Sequence, residues 1–444
     1  MSNKTNRLSS YRWSEMPVEQ RSEVLQRPAV RANESISSKA QEIINRVRAE
    51  GDAALIAYAE QFDKAILTEL RVSEAEAAEA GEIIGAAARE AIATAIKNVG
   101  TYHEAQITAP IKIETAPGVV CERVSRPIPA VGLYVPAGTA PLPSTAIMLA
   151  VPAAIAECPV RVLCTPARPD GKADPAVVYA AWSCGVRDIY KIGGAQAVAA
   201  MAYGTASVPK VDKIFGPGNA WVTAAKTIVS ADAAGAALDM PAGPSEVMVL
   251  ADDTANPRAV ALDLLSQAEH GIDSQAVLVT TDPAIAEAVN REIDTALETL
   301  SRREILEQAL EHSVCIITES AEQAFEVANA YASEHLIVQL AEPRQYIDLI
   351  NNAGSVFIGP WTPESVGDYC SGTNHVLPTY GYARQYSGLS LSAFQKQLSM
   401  QELTLDGLKG LEPTVTTLAG LEGLDAHAQA VIVRIEDAVN SGEK

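Results

Sequence analysis

From about residue 119 onward, short β-branched runs alternate with Ala-rich stretches of helical period. Val131–Val135, Val160–Cys164, Asp188–Ile192 and Lys213–Phe215 read as strands, with helices over Ser144–Glu157, Pro175–Cys184, Ala195–Tyr203 and Ala220–Ser230. The alternation resumes at Glu246–Leu250 and continues through Gln275–Thr280, Val314–Ile317, Leu336–Gln339 and Ser355–Ile358. Strand, helix and strand at this spacing imply right-handed crossovers and a mostly parallel sheet. Two such blocks predict an α/β chain with two Rossmann-like (incomplete), doubly wound parallel-sheet domains. The Pro/Gly-rich Met240-Pro-Ala-Gly-Pro244 is the expected junction between them.

The flanks read differently. Residues 1–35 form a polar, irregular N-terminal extension. Two Ala-rich helical stretches follow. The second opens with a capping box, Ser73 and Glu76, in which each side chain satisfies a free amide of the first turn, and runs to about Gln106. Beyond 359 the sheet pattern stops, and a Gly/Pro/Thr-rich loop extends from Pro360 to about Gly388. Its length, with its aromatic and charged residues, indicates function rather than disorder. A helical tail without strands closes the chain and reads as a docking arm. The expected division is 36–130 plus 245–388, with the Ala-rich helices, as the first α/β domain, and 131–244 as the second. A helical N-terminal segment precedes them, and 389–444 is the helical tail.

Composition narrows the class. The 444 residues include 34 Lys plus Arg against 55 Asp plus Glu, a formal net charge of −21. Phosphate backbones and anionic membranes both require basic surfaces, so neither is expected as a partner. The cysteines at 121, 158, 164, 184, 315 and 370 contain no C-x-x-C pair. They read as reduced thiols of a cytoplasmic protein. The polar first twenty residues show no apolar core of a secretory peptide. The longest apolar stretch, Ala146 to Ala156, is too short to span a bilayer.

Six histidines stand at 103, 270, 312, 335, 375 and 427. His103 and His312 read as surface residues. Gln267 and His270 end a predicted helix three residues apart, on one face, so an oxygen and a nitrogen could meet one metal ion. A helix C-terminal His also serves as a dipole cap. Ser333-Glu334-His335 opens a strand and offers two proton acceptors of different basicity. The loop Thr362-Pro-Glu-Ser-Val-Gly-Asp368 to His375 carries a candidate carboxylate ligand, Asp368, and is hard to explain as packing. His427, in a polar tail after Glu422, reads alone as surface. Gln, His, Asp and His form an N/O set without thiolate, which suits Zn²⁺, with Mn²⁺ or Co²⁺ as alternatives. Gly193-Gly-Ala-Gln196 and Gly216-Pro-Gly-Asn219 each follow a strand and open a helix, where an anion could sit. Neither completes G-x-G-x-x-G, and tight βα turns would look the same.

Taken together and in order, these motifs resemble the histidinol dehydrogenase family. The resemblance spans about 35 to 435. It rests on Val131-Gly-Leu-Tyr134-Val-Pro, Gly193-Gly-Ala-Gln196, Phe215-Gly-Pro-Gly-Asn219, Asp239-Met-Pro-Ala-Gly-Pro-Ser245-Glu246 and Gln267-Ala-Glu-His270-Gly. Ser333-Glu334-His335-Leu336, Gly367-Asp368-Tyr369 with Gly372-Thr-Asn-His375-Val-Leu-Pro-Thr, and Ala426-His427 complete it. It implies zinc-dependent oxidation of L-histidinol to L-histidine through L-histidinal with two NAD⁺. It implies Gln267, His270, Asp368 and His427 as ligands of one Zn²⁺ per subunit, and Glu334 and His335 as the acid–base pair. Ser245, His375 and Glu422 would contact substrate, as would the ligands and His335. Tyr134, Gln196 and Asn219 would contact NAD⁺. It also implies a homodimer whose tails complete the partner's site. Ala137, where many relatives have Gly, and Trp221, in place of a more usual Tyr, are departures on the cofactor side. A dehydrogenase of another polar alcohol and a metal-dependent hydrolase are the alternative readings.

Overall fold

The computed structural model describes residues 7–28, 34–137, 140–241 and 243–441; Ala242 of the expected junction and Gly138, the neighbour of Ala137, lie outside them. Strands are numbered in chain order: β1 Ser9–Arg12, β2 Ile111–Ala116, β3 Val119–Pro127, β4 Ala130–Tyr134, β5 Val160–Thr165, β6 Asp188–Lys191 and β7 Lys213–Phe215. There follow β8 Ala237–Leu238, β9 Glu246–Ala251, β10 Gln275–Thr280, β11 Val314–Ile317, β12 His335–Gln339, β13 Ser355–Ile358 and β14 Gln395–Leu403.

Two units emerge. The larger comprises 1–105 and 128–394, and the smaller 106–127 and 395–444. The larger holds two parallel sheets. Sheet A has the order β1-β11-β10-β9-β12-β13, and sheet B has β6-β5-β4-β7-β8. The doubly wound parallel arrangement read from the sequence is present. Apart from the edge strand β1, the two orders are the same. Each sheet steps outward from a first strand (β9 or β4), then returns to that strand's other side. The switch points therefore lie between β9 and β12 and between β4 and β7.

Parallel sheets are buried on both faces, so their strands read as continuous apolar runs. All six residues of β9 and of β10 are buried. Val247 and Val249 face one core layer of sheet A, and Met248 and Leu250 the other. In sheet B, Val131 and Leu133 point to the layer under helix Pro143–Ile155, while Val162 and Cys164 join the layer of helix Gly194–Tyr203. The Ala-rich helices, expected with the 245–388 block, pack instead on the helices covering sheet B. Glu34–Glu50 lies on Gly194–Tyr203, and Glu74–Glu104 lies on Pro143–Ile155 and Pro175–Ser183. At the carboxyl edge of sheet A, Asp252, Glu319 and Glu342 line a shallow crevice. Among the described residues, no helix is long and apolar enough to cross a membrane.

Several local expectations change. The N-terminal extension is not wholly irregular, because β1 adds to sheet A beside β11. This edge strand is held by its backbone ladder and is mostly exposed, so it carries no apolar run. The tail contains a strand after all: β14 pairs antiparallel with β3, which pairs with β2. Eight of its nine residues are exposed, which erases the period-2 signal. Half of the capping box forms. Ser73 accepts from the Glu76 amide at 3.1 Å, but the Glu76 carboxylate turns to the Ala173 amide at 2.9 Å.

The smaller unit is the three-stranded sheet plus helices Leu405–Glu422 and Asp425–Ser441, joined through Gly423 in the left-handed region at φ 70°.

Candidate active site

Helix Ala321–Tyr331 ends on Ala332, a non-glycine residue at φ 57°. That left-handed turn delivers Ser333, Glu334 and His335 to the amino end of β12. Pairing of His335 with Val247 sets them beside the amino end of β9. The glycine turns of sheet B lie at strand carboxyl ends, where ligands of open α/β sheets gather. The Glu–His pair occupies the opposite end of its sheet.

Both side chains are buried. Glu334 Oε2 accepts from the Glu246 amide at 2.9 Å, and His335 Nδ1 meets the Glu246 carbonyl at 3.1 Å. That bond makes Nδ1 the protonated nitrogen and leaves Nε2 facing Asp368 Oδ1 at 3.5 Å. Nε2 is buried and has no hydrogen-bond partner among the described residues.

Burial pushes the Glu334 carboxyl up to about 8. Burial would lower the His335 imidazolium, but Glu334, Glu364 and Asp368 outweigh it and hold it up at about 10. Burial would raise Asp368 too, yet His335, with His375 and His270, keeps it well below the carboxylate range. Asp368 and the His335 imidazolium thus form the charged pair of the pocket, while burial favours the neutral form of Glu334.

Asp368 and Glu364 stand one turn apart on the short helix Glu364–Tyr369. With His270 they bring three donor atoms within 4.8 Å of one another. Gln267 adjoins them at the end of helix Pro257–Ala268, with its amide oriented by its neighbours. Its nitrogen donates to Glu364, at 3.0 Å for Oε2, and its oxygen accepts from Ser245 Oγ at 3.2 Å. The set is nitrogen and oxygen only, with an orphaned imidazole nitrogen alongside, which fits a borderline divalent cation such as zinc. Glu364 had no role in the sequence reading. Its i, i+4 spacing to Asp368 is the signal that could have found it.

His375 donates or accepts at both nitrogens: Nδ1 with the Asp368 carbonyl at 2.8 Å, and Nε2 with Thr145 Oγ1 at 3.1 Å. The loop therefore reaches from sheet A to the first helix of sheet B. His103, expected at the surface, is fully buried. Its Nδ1 meets the Val99 carbonyl at 2.8 Å, and its Nε2 lies 3.5 Å from Asn374 Nδ2. Flanking polar residues hid the fact that this turn packs under the 370–378 loop. His312 is exposed.

On sheet B, the Tyr134 hydroxyl accepts from the Gly194 amide at 3.0 Å, and Gln196 is buried in the first turn of the same helix. Asn219 caps helix Ala220–Ala231 through the Trp221 and Val222 amides at 3.1 and 3.2 Å. Gly216, at φ 121°, sits beside the switch point, and a Cβ there would strike the Tyr134 carbonyl oxygen. A Cβ at Gly193, Gly194 or Gly218 would likewise strike Pro166, Gln196 or Val222, respectively, so these tight βα turns require glycine for their own packing. In the smaller unit, Glu422 ends one helix and His427 lies in the first turn of the next, both exposed.

Glycine turns on one parallel sheet and a buried Glu–His pair opening the other define an α/β enzyme of the dehydrogenase class. The family model described as histidinol dehydrogenase matches residues 25–435. The histidinol dehydrogenase of Photobacterium profundum is 54% identical over 424 residues, covering 96% of this chain and 95% of that protein. That of Escherichia coli K12 is 51% identical over 423 residues, covering 95% and 96%. The crystal structure of histidinol dehydrogenase from Elizabethkingia anophelis superposes with a TM-score of 0.94 at 44% identity, covering 97% of this chain and 99% of that one. The chain belongs to the histidinol dehydrogenase family. It is an oxidoreductase of histidine biosynthesis, and histidinol is its substrate.

Proposed function

We propose that the enzyme oxidises L-histidinol to L-histidine through bound L-histidinal, with two NAD⁺ and one zinc ion per subunit, as a cytoplasmic homodimer. The observation that carries this reading is the convergence of Glu334 and His335 with the donors His270, Asp368 and Glu364 at the amino ends of β9 and β12. Gln267, His270, Asp368 and His427 would hold the metal, with His427 supplied by the tail. When bound, zinc would orient the substrate's amino and imidazole nitrogens and favour the alkoxide. NAD⁺, held over the glycine turns by Tyr134, Gln196 and Asn219, would supply the two-electron acceptor for each oxidation.

The chain's own groups divide the rest. Glu364, by taking the Gln267 amide protons, turns the amide oxygen away from itself and orients it as a ligand. His335 takes the hydroxyl proton at Nε2, because Nδ1 is committed to the Glu246 carbonyl; it does so as the neutral ring, which a divalent cation bound beside Asp368 would favour over the imidazolium. Glu334 holds one oxygen on the Glu246 amide and keeps the other for a water that hydrates the aldehyde. Ser245, His375 and Glu422 bind substrate. The deciding experiment is product analysis with histidinol, NAD⁺ and zinc. Two NADH per histidine support the reading. One NADH with released aldehyde, or hydrolysis without NADH, rejects it.

A further inference from the structure

The Glu–His pair is gripped from behind by residues that have no role in the reaction described so far. Glu246 opens β9 and is 1% exposed. Its peptide touches both members of the pair, the amide on Glu334 Oε2 at 2.9 Å and the carbonyl on His335 Nδ1 at 3.1 Å. Its carboxylate is fixed in turn. Arg27 binds it in fork geometry through Nε and Nη2, the latter at 2.9 Å, and the Tyr380 amide donates at 2.7 Å.

Arg27 also holds the segment that delivers the pair. Its Nη2 donates to the Tyr331 carbonyl at 2.7 Å, and its guanidinium lies 3.9 Å from the centre of the Tyr331 ring. Tyr331 precedes the left-handed Ala332 and the Ser333–Glu334–His335 turn. One guanidinium thus spans the start of β9 and the approach to β12, 219 positions from Glu246 in sequence. Stability alone does not account for this. A buried ion pair is commonly no better than apolar residues of the same size, because desolvation offsets attraction. What the pair supplies, and apolar residues would not, is a fixed orientation of the Glu246 peptide.

We propose that Glu246 and Arg27 are positioning residues for the acid–base pair. The ion pair fixes the Glu246 peptide. That peptide holds the Glu334 carboxyl group and keeps the His335 ring turned so that Nε2 faces Asp368. The proposal rests on the acid–base assignment of Glu334 and His335 made above.

The test compares Arg27→Met, Arg27→Lys and the double variant Arg27→Met/Glu246→Met with the full-length enzyme, assayed with histidinol and NAD⁺. Arg27→Met leaves a buried carboxylate uncompensated, and both melting temperature and kcat fall. The double variant removes both charges and regains the melting temperature. Its kcat stays about ten- to a hundredfold low, the scale of a small misplacement of reacting groups, while KM for histidinol moves less than about twofold. Nitrogen-15 spectra of histidine-labelled protein show the His335 Nδ1 signal shifting as its hydrogen bond to the Glu246 carbonyl is lost. Arg27→Lys keeps the charge but not the fork, so it folds and shows the same kcat loss in smaller measure. Recovery of kcat together with melting temperature in the double variant would overturn the proposal, as would an unchanged His335 Nδ1 signal. Glu334→Gln and His335→Asn run alongside. Full turnover in both would refute the acid–base assignment itself, separately from any result at Arg27.

Discussion

Glu334→Gln should separate the two oxidations. The glutamine keeps the size of the side chain, and its carbonyl oxygen can still accept from the Glu246 amide, now 2.9 Å from Oε2. The fold should therefore tolerate it. What disappears is the second carboxylate oxygen, the only part of this side chain able to take a proton from water. General-base assistance contributes about 10²–10⁴-fold, which corresponds to about 3–5 kcal/mol of barrier. That loss should fall on conversion of supplied histidinal to histidine. In the proposed scheme the first oxidation needs no water, and its proton goes to His335 Nε2. Stopped-flow absorbance at 340 nm under single-turnover conditions should show a near-normal burst from histidinol, followed by arrest. With histidinal as substrate the same instrument should show the full slowing. Equal slowing of both half-reactions would refute the division of labour and reduce Glu334 to a support for its neighbour.

Three further outcomes follow from the same geometry. Removal of metal by a strong chelator should abolish NADH formation and leave far-UV circular dichroism unchanged, because the core layers on both sheets do not involve the donor cluster; full activity in metal-free protein would end the metal assignment. Gln267→Ala and His427→Asn should each be inactive, and subunit exchange between them should restore part of the activity if tails complete partner sites; mixtures that stay dead argue for a tail serving its own chain. Phe394→Ala should cost about 3–5 kcal/mol of unfolding free energy in urea titration, since this ring is fully buried and stacks on Phe215 with centroids 4.1 Å apart; a loss under about 1 kcal/mol would show that the site collapses around the missing ring.

The sheets were legible because parallel strands buried on both faces write their burial into composition: β7, β10, β11 and β13 begin and end at the expected residues. Strands held by backbone pairing alone were not. β1 and β14 are largely exposed, and the β2–β3 hairpin turns at Pro117-Gly118, a signal that was present but passed over. In the site, Glu334, His335 and Asp368 were named because adjacent acids and bases in strand openings and long loops are unusual in themselves. Glu246 and Arg27 look ordinary in sequence, an acid opening a strand and an arginine in a polar leader. Their meaning lies in a contact that only the folded chain makes. His103 shows the converse, a residue in a polar neighbourhood sealed by a distant loop.

The shared strand order of the two sheets bears on cofactor selectivity. Sheets wound alike have equivalent crevices at their carboxyl poles. At that pole of sheet B two helices open directly after glycine turns, and their positive ends suit the pyrophosphate of the proposed NAD⁺. At the equivalent pole of sheet A, Asp252, Glu319 and Glu342 form an acidic rim that repels the same anion. Topology alone would let a dinucleotide settle on either half. Charge breaks the pseudo-symmetry and leaves sheet B as the half suited to the proposed dinucleotide.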